Sequence, residues 1–146
     1  MIREQRSREK LEAYYQRFRD EGEIDVNVHP WVAEAWRESR RIGVPSMGTE
    51  PKRVLSAEDF CALQKKHAPA IDCLLQLTEG VQEFFARYGL SLLLLDAEAL
   101  VLKSCTLPFM RLPPGKVEGS RLGIEEIGAS SISIAKEKRV PFWVFG

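Results

Sequence analysis

Side chains suited to acid–base or nucleophilic chemistry lie close together between residues 125 and 131. Glu125 and Glu126 are adjacent carboxylates, a type used in proton transfer, but neighbouring residues on a helix point in different directions. Ser130 and Ser131 carry hydroxyls, yet neither histidine is near them in sequence and no G-x-S-x-G elbow surrounds them. We therefore interpret the carboxylates as a solvated helix start and the serines as its caps, which predicts no catalytic residue and a protein that is not an enzyme. In the alternative interpretation, the N–H groups of this helix start bind an anionic ligand.

Cysteine and histidine are too sparse to predict a metal centre or a disulfide framework. The three cysteines, Cys61, Cys73 and Cys105, are widely spaced and form no C-x-x-C pair. The two histidines, His29 and His67, are equally far apart. We expect buried, inert thiols, with a redox or ligand role for Cys105 as the minor alternative, and we expect no metal and no cofactor.

Composition and charge are those of an ordinary globular domain. The 146 residues include 21 basic and 21 acidic side chains, so the chain has no overall basic excess of the kind that typifies nucleic-acid binders. The longest apolar run, Leu92–Leu95 with Leu90 beside it, is too short to cross a membrane. The charged N-terminus has no apolar signal core, so we expect a cytoplasmic location without membrane contact.

Two amphipathic helices are predicted in the first third of the chain. In residues 4–21 the apolar side chains recur at intervals of three and four, and Gly22 is expected to end the helix. A second helix should begin at Pro30, with Trp36 on its apolar side. The apolar stripe of the first helix either packs on the domain or forms a dimer contact.

A third helical region is predicted from Ser56 to Tyr88. Its apolar residues recur at alternating intervals of three and four, close to the heptad seam of a coiled coil. Pro69 lies within this pattern and should kink or restart the helix. If it is continuous, the region spans about 50 Å at 1.5 Å per residue, which favours pairing of subunits or relay of a signal along a rod.

The pattern then changes from helix to strand. Residues 90–95 are a near-continuous apolar run that predicts a central strand buried on both faces. A turn at residues 96–98 and a returning strand over 100–105 complete an antiparallel hairpin. An irregular stretch follows, then a helix that begins near Ala129 or Ser130 and a third strand over 140–145.

Five short motifs follow one another along the chain. They are a tryptophan segment that ends in Gly-Val, a Leu-Ser helix start, an Ala-Pro break, a hairpin, and a glycine-led helix before a closing strand. The matching residues are Ala35, Trp36, Ser39, Gly43, Val44, Leu55, Ser56, Asp59, Phe60, Ala68, Pro69, Leu94, Asp96, Val101, Leu102, Gly128, Ile132, Ala135, Pro141, Val144 and Gly146. In the order and spacing of these motifs the chain resembles the N-terminal sensory region of sigma-54-dependent, acetoin-regulator-type bacterial transcriptional activators.

The resemblance covers nearly the whole chain, with departures in the family's most diagnostic motif. Leu122 stands where the family has tryptophan, and Ser130 stands where it has asparagine. In addition, Ala99 replaces the usual turn glycine, and Arg37 precedes Glu38 where the family has the reverse order.

The resemblance implies an α+β fold and a regulatory function. An N-terminal helical extension over residues 1–54 would be followed by the front portion of a GAF-like sensor domain over 55–146, with an antiparallel sheet, flanking helices and an incomplete C-terminus. A homodimer would bind a small-molecule effector and relay the signal through the long helix to a downstream AAA+ ATPase. DNA and sigma-54 RNA polymerase would be contacted only through downstream domains absent from this chain, which contains no G-x-x-x-x-G-K-[ST] loop.

Within this sensor we predict a ligand pocket between the sheet and the loop over residues 105–128. Its predicted lining is Leu93, Leu95, Ser104, Phe109, Ser130 and Trp143. The competing hypothesis is a structural dimerisation or protein-interaction module with no small-molecule ligand. The predicted dimer contacts are Leu11, Tyr15, Phe18, Leu74, Val81 and Phe85.

Overall fold

The computed structural model describes residues 2–44, 54–88, 90–106 and 117–142. Over these residues the fold is α+β, as predicted, with seven helices and one two-stranded antiparallel sheet. The elements are α1 (Ile2–Glu21), α2 (Pro30–Ile42), α3 (Ala57–Lys66), α4 (Ala68–Thr78), α5 (Gln82–Arg87), β1 (Leu92–Leu95), β2 (Val101–Thr106), α6 (Ile124–Ile127) and α7 (Ser131–Lys138).

The described residues form two compact units. The helical unit contains residues 2–44 and 124–142, and the hairpin unit contains the described residues from 54 to 123. This grouping differs from the predicted boundary at residue 54, because α6 and α7 belong with the N-terminal helices rather than with the sheet. The periodicity of each segment could not reveal this, since it does not say which apolar faces meet.

The end of the first helix and both limits of the second agree with the sequence prediction, whereas α1 begins at Ile2, two residues before the predicted start. The helix α1 ends at Gly22, whose N–H donates to the Phe18 carbonyl at 2.9 Å. At the start of α2, Pro30 needs no hydrogen-bond acceptor, and the Nδ1 atom of His29 accepts from the Trp31 N–H at 3.2 Å. These contacts set the limits of the two helices whose apolar sides form the core of the helical unit.

The core of the helical unit is built from α1, α2 and α7. Phe18 and Trp36 are buried, with their rings stacked at 5.7 Å between centroids, and Tyr15 lies 5.0 Å from Trp36. Ile134 of α7 belongs to the same cluster. The aromatic stripe of α1 therefore packs on its own unit, which is one of the two interpretations that the sequence allowed.

Gly43 and Gly128 form a matched pair for testing the packing of this unit. Both have left-handed φ angles, of 77° and 75°, where an L-residue costs about 1–2 kcal/mol. A Cβ at Gly43 would meet nothing within 4 Å, but at Gly128 it would lie 3.2 Å from Val44 Cγ1 and 3.4 Å from Ser39 Oγ. We expect Gly128→Ala to lower the free energy of unfolding more than Gly43→Ala, measured by urea denaturation. Equal losses would contradict this close packing.

The long helix predicted over residues 56–88 is three helices. It begins as expected at Ser56, whose Oγ accepts from the Asp59 N–H at 3.1 Å. The first break is at His67, two residues before Pro69, which cannot donate a backbone hydrogen bond. The second follows Thr78, whose Oγ1 donates to the Leu74 carbonyl at 2.9 Å, a contact that often bends a helix. The predicted restart of the helix at Pro69 is confirmed, and the two breaks together exclude a continuous rod over these residues.

The predicted antiparallel hairpin is confirmed. Residues Leu93 and Ser104 are partners across β1 and β2, and Asp96 organises the turn by accepting from the N–H groups of Glu98 and Leu100, each at 2.9 Å. The expectation that the first strand is buried on both faces is wrong. All four residues of β1 are only half-buried, and in the described part of the chain β1 pairs with β2 alone.

The core of the hairpin unit is centred on β2. Leu102 and Val101 are almost fully buried, together with Val117 and Leu122 from the segment that follows. The Val101 N–H donates to the Ser120 carbonyl at 2.9 Å, so residues 117–122 run beside this strand. The better-buried strand of the hairpin is therefore β2, although its sequence is the less hydrophobic of the two.

The predicted third strand is not present in its described part. Residues 140–142 are irregular, and residues 143–146 lie outside the described residues. The two-stranded sheet of the described residues does not confirm a GAF-like sheet, so that finer assignment stays a prediction.

Candidate functional site

A cavity of about 460 Å³ lies in the helical unit, between α1, α2 and the α6–α7 segment. We call it the helical cavity. Its apolar wall is formed by Leu11, Tyr15, Phe18, Val32, Trp36 and Ile134. The volume is within the range of small-molecule sites, which are concave and lined mainly by hydrophobic and aromatic side chains.

Three aromatic rings give the helical cavity its shape. The rings of Tyr15, Phe18 and Trp36 form a triangle, in which Tyr15 lies 5.0 Å from Trp36 and 6.4 Å from Phe18, measured between ring centroids. Phe18 and Trp36 are each less than a tenth exposed, which restricts the rotation of their side chains. A flat apolar group entering the cavity would therefore meet preformed ring surfaces rather than mobile side chains.

Charged side chains stand around this apolar wall. Arg19 and Arg40 line the cavity, and Glu12 is the acidic residue among the lining. The Nη1 atom of Arg40 donates to the Phe18 carbonyl at 3.3 Å, and its guanidinium lies 5.5 Å from the centre of the Phe18 ring. Arg19 forms an exposed ion pair with Asp20 at 3.0 Å. The cavity thus combines an aromatic interior with two arginines at its edge.

The start of α7 forms another part of the cavity, and the predicted capping role of its serine is confirmed. Ser130 Oγ accepts from the Ser133 N–H at 3.0 Å, and Ser133 Oγ accepts from the Ser130 N–H at 2.9 Å. This reciprocal capping box satisfies two N–H groups that a helix start leaves unpaired. Ser133 Oγ also lies 3.1 Å from the Gly128 carbonyl oxygen, so the cap ties α7 to the segment before it.

Replacing Ser130 with alanine tests the cap. We expect the free energy of unfolding to fall by about 1 kcal/mol, because the Ser133 N–H loses its acceptor. Ser131→Ala is the matched control, since Ser131 is the next residue and its side chain does not form the capping box. Equal unfolding midpoints in urea for the two variants would contradict the assigned cap.

The structure does not gather the predicted pocket residues into one described site. Leu93, Leu95 and Ser104 belong to the hairpin unit, where Leu93 and Ser104 are strand partners. Ser130 belongs to the helical unit and lines the helical cavity. Phe109 and Trp143 lie outside the described residues.

Ser104 already has a structural role in its unit. Its N–H and its Oγ both lie 3.1 Å from Glu118 Oε1, and Lys103 Nζ forms an ion pair with the same oxygen at 3.3 Å. The Glu118 side chain is only 14% exposed, so this carboxylate is held and neutralised by its neighbours. The cluster gives Ser104 a structural role beside Glu118, and its predicted ligand contact stays a prediction.

The predicted dimer contacts fall in two different settings. Leu11, Tyr15 and Phe18 line the helical cavity, and Phe18 is buried within its own unit. In the hairpin unit Leu74 and Phe85 are half-buried and Val81 is exposed. The homodimer itself stays a prediction.

Most residues of the cavity lining were not predicted as site residues, and those missed include Arg19, Val32, Ser39 and Arg40. A usable signal was present in α2, because Val32, Trp36, Ser39 and Arg40 recur at helical spacing on one face. That face changes from apolar to polar along the helix. A helix face that lines a partly open cavity is expected to change from apolar to polar side chains in this way.

The expectation of buried thiols is wrong for two cysteines. Cys61 and Cys73 are exposed, and Cys105 is partly buried with its Sγ 3.7 Å from Thr78 Oγ1. Among the side chains that the structure describes, no three metal-ligating residues cluster as a metal site would require. None of the described helices combines the length and the hydrophobicity needed to cross a membrane.

Comparison of the chain with models of known protein families, with curated proteins and with solved structures finds no match. The resemblance to sigma-54-dependent activators therefore rests on the order of motifs in the sequence alone.

Proposed function

We propose that this chain is a signal-sensing region whose helical unit binds a small organic effector in the helical cavity. The observation that carries the proposal is a cavity of about 460 Å³ that combines stacked aromatic rings with polar side chains at its edge. An apolar interior supplies affinity, and a few polar groups fix the orientation of the ligand.

The proposal that the chain has a regulatory role is based on the order of the five sequence motifs. As the sensory region of a sigma-54-dependent activator, the chain would pass its signal to a downstream AAA+ ATPase and DNA-binding domain. The proposed site is not the pocket between the sheet and the loop over residues 105–128. It is the helical cavity, which shares only Ser130 with that prediction.

Effector binding in this cavity would act on the arrangement of three elements. Side chains from α1, α2 and the start of α7 all line the cavity, so one ligand contacts residues far apart in the chain. Such a ligand favours the conformation in which these elements are packed together, to the extent that it binds that conformation better than the alternatives. The signal passed on is then an increase in the fraction of molecules whose helical unit is in this packed conformation.

A thermal-shift screen of the whole chain against small organic acids, amides, alcohols and nucleotides tests the proposal. A ligand present at 100 times its dissociation constant should stabilise the folded state by about 2.7 kcal/mol. For any compound that raises the melting temperature, Tyr15→Ala should weaken binding about tenfold by calorimetry, because an aromatic wall of the cavity is lost.

Tyr14→Ala is the matched control for that variant. Tyr14 is half-buried on the same helix and packs against the core, but it does not line the helical cavity. We expect its affinity for the compound to stay within about twofold of the unmodified chain, a change of about 0.4 kcal/mol. A screen without any stabilising compound, or equal losses in the two variants, would overturn the proposal.

A second candidate function, a protein-interaction module, is favoured by a surface of the hairpin unit. Leu77, Phe84 and Tyr88 are each more than half exposed, and Val81 and Leu90 are also exposed. Contiguous exposed apolar side chains often mark sites of protein association. Light scattering on the chain and on Phe84→Glu distinguishes the outcomes, because this hypothesis predicts a dimer that the charged variant converts to a monomer.

A further inference from the structure

We infer that the effector of the helical cavity is a small carboxylic acid with an apolar, ring-sized body. This inference rests on the proposed function and names the chemical class of its ligand. It follows from two features of the cavity: the position and state of its arginines, and the shape of its apolar wall.

Two guanidinium groups lie at the edge of the cavity. They belong to Arg19 and Arg40, and a guanidinium is a planar cation whose N–H groups match the geometry of a carboxylate. Glu12, the acidic residue of the lining, precedes Arg19 by seven residues on α1, about 10 Å along the helix axis at 1.5 Å per residue. The acidic group therefore lies about two helical turns away from Arg19 along the same wall. Arg19 is paired with Asp20 at 3.0 Å, so it is Arg40, bonded to the neutral Phe18 carbonyl, that offers its charge to an anion.

Arg40 is held in place before any ligand arrives. Its Nη1 donates to the Phe18 carbonyl at 3.3 Å, and its charged head lies 5.5 Å from the centre of the Phe18 ring. A guanidinium has five N–H donors in a rigid plane, and this bond engages one of them. The N–H donors that this bond leaves suit a carboxylate, which can accept two parallel N–H bonds from one guanidinium. A positioned arginine loses less side-chain entropy on binding than a mobile one would.

The apolar wall beside Arg40 defines the body of the ligand. Arg40 touches Phe18, which stacks on Trp36, so the charged group and the aromatic surface adjoin each other. A molecule with its carboxylate at Arg40 would place its neighbouring atoms against these rings. A planar or compact apolar body gains most from this surface, because stacked or tilted aromatic contacts add to the burial of area.

Matched pairs of acids and amides test the inference by calorimetry on the whole chain. The pairs are benzoate with benzamide, 3-phenylpropionate with 3-phenylpropanamide, and hexanoate with hexanamide, since the members of each pair differ mainly in charge. We expect each acid that binds to be at least about tenfold tighter than its amide, because charge-assisted hydrogen bonds are roughly twice as strong as neutral ones. The difference should shrink in high salt.

Arg40→Gln and Arg41→Gln are the paired variants for this experiment. Arg40→Gln should remove most of the preference for the acid and leave the affinity of the amide within about twofold. Arg41 is the adjacent arginine, but it pairs with Glu38 through hydrogen bonds of 2.6 and 2.8 Å and does not line the cavity. Because these bonds hold the pKa of Glu38 below its usual value, the pair stays ionised at neutral pH, and Arg41→Gln should leave the preference unchanged.

Three outcomes distinguish the inferred ligand class from the proposed effector site. If the acids bind more tightly than the amides and only Arg40→Gln loses this preference, both the ligand class and the site are supported. Equal binding of acids and amides overturns the carboxylate class and leaves the helical cavity as the site. Binding by none of the six compounds overturns the inference, and the broader thermal-shift screen then decides the proposed function. If Arg40→Gln does not fold, the comparison of acid with amide on the unmodified chain still decides the ligand class.

Discussion

Replacing Trp36 with alanine should lower the free energy of unfolding by about 3–5 kcal/mol, the range found when a buried aromatic side chain is truncated. Trp36 is 7% exposed and contacts Tyr15 and Phe18 through ring centroids at 5.0 and 5.7 Å. The truncation removes this central ring and enlarges the space beside an existing cavity, which neighbouring side chains cannot fill without leaving their preferred rotamers. Urea unfolding followed by far-ultraviolet circular dichroism measures the loss without depending on tryptophan fluorescence.

Trp36→Phe is the control for this prediction. It keeps an aromatic ring in contact with Tyr15 and Phe18 and should cost clearly less than alanine. A loss below about 1 kcal/mol for Trp36→Ala would be typical of a surface substitution and would contradict a core position for this residue.

Replacing Leu102 with alanine should cost about 2–5 kcal/mol in the hairpin unit. Leu102 is 2% exposed and lies on β2. Its carbonyl accepts from Gln64 Nε2 at 3.1 Å, which links α3 to the strand. Truncation leaves a void within a closely packed interior, so both transfer energy and packing contacts are lost.

Leu77→Ala is the matched control, because it makes the same chemical change at a side chain that is 72% exposed. We expect its effect to stay within about 0.5 kcal/mol, which is the usual range for a surface position. Comparable urea midpoints for Leu102→Ala and Leu77→Ala would contradict the position of the core in this unit.

Local structure followed well from the sequence. Gly22, Pro30 and Ser56 mark helix limits, and the structure confirms each of them. The hairpin and the cap at Ser130 are confirmed as well. These features depend on residues within a few positions of one another, and the stereochemistry of proline and the hydrogen bonding of serine act at that range.

Features that depend on contacts between distant residues could not be predicted from the sequence. The residues of β1 are all leucine, yet β2 is better buried, because burial depends on which segments pack against a strand. In the long helical region Pro69 correctly predicted the first break, but the regular apolar seam concealed the second, since the periodicity of side chains does not report the backbone effect of Thr78. Cys61 and Cys73 are exposed although cysteine is commonly buried.

In the candidate site, too, local features could be predicted from the sequence and contacts between distant residues could not. Tyr15 and Phe18 were predicted as an apolar face, but not as the wall of a cavity, because that wall also needs α7 from the far end of the chain. Helical spacing places Arg40 on the same face of α2 as Trp36, but its position over the Phe18 ring could not be predicted, since it is a tertiary contact between residues 22 positions apart.

The most direct test of an effector in the helical cavity is the nitrogen–proton NMR spectrum of the tryptophan indoles. The chain has three tryptophans, at positions 31, 36 and 143, and Trp36→Phe assigns the signal of the one that lines the cavity. We predict that titration with the tightest-binding compound of the thermal-shift screen moves the Trp36 signal to saturation, at the dissociation constant found by calorimetry. Saturable binding that moves the Trp143 signal and leaves Trp36 unchanged would contradict the helical cavity as the effector site.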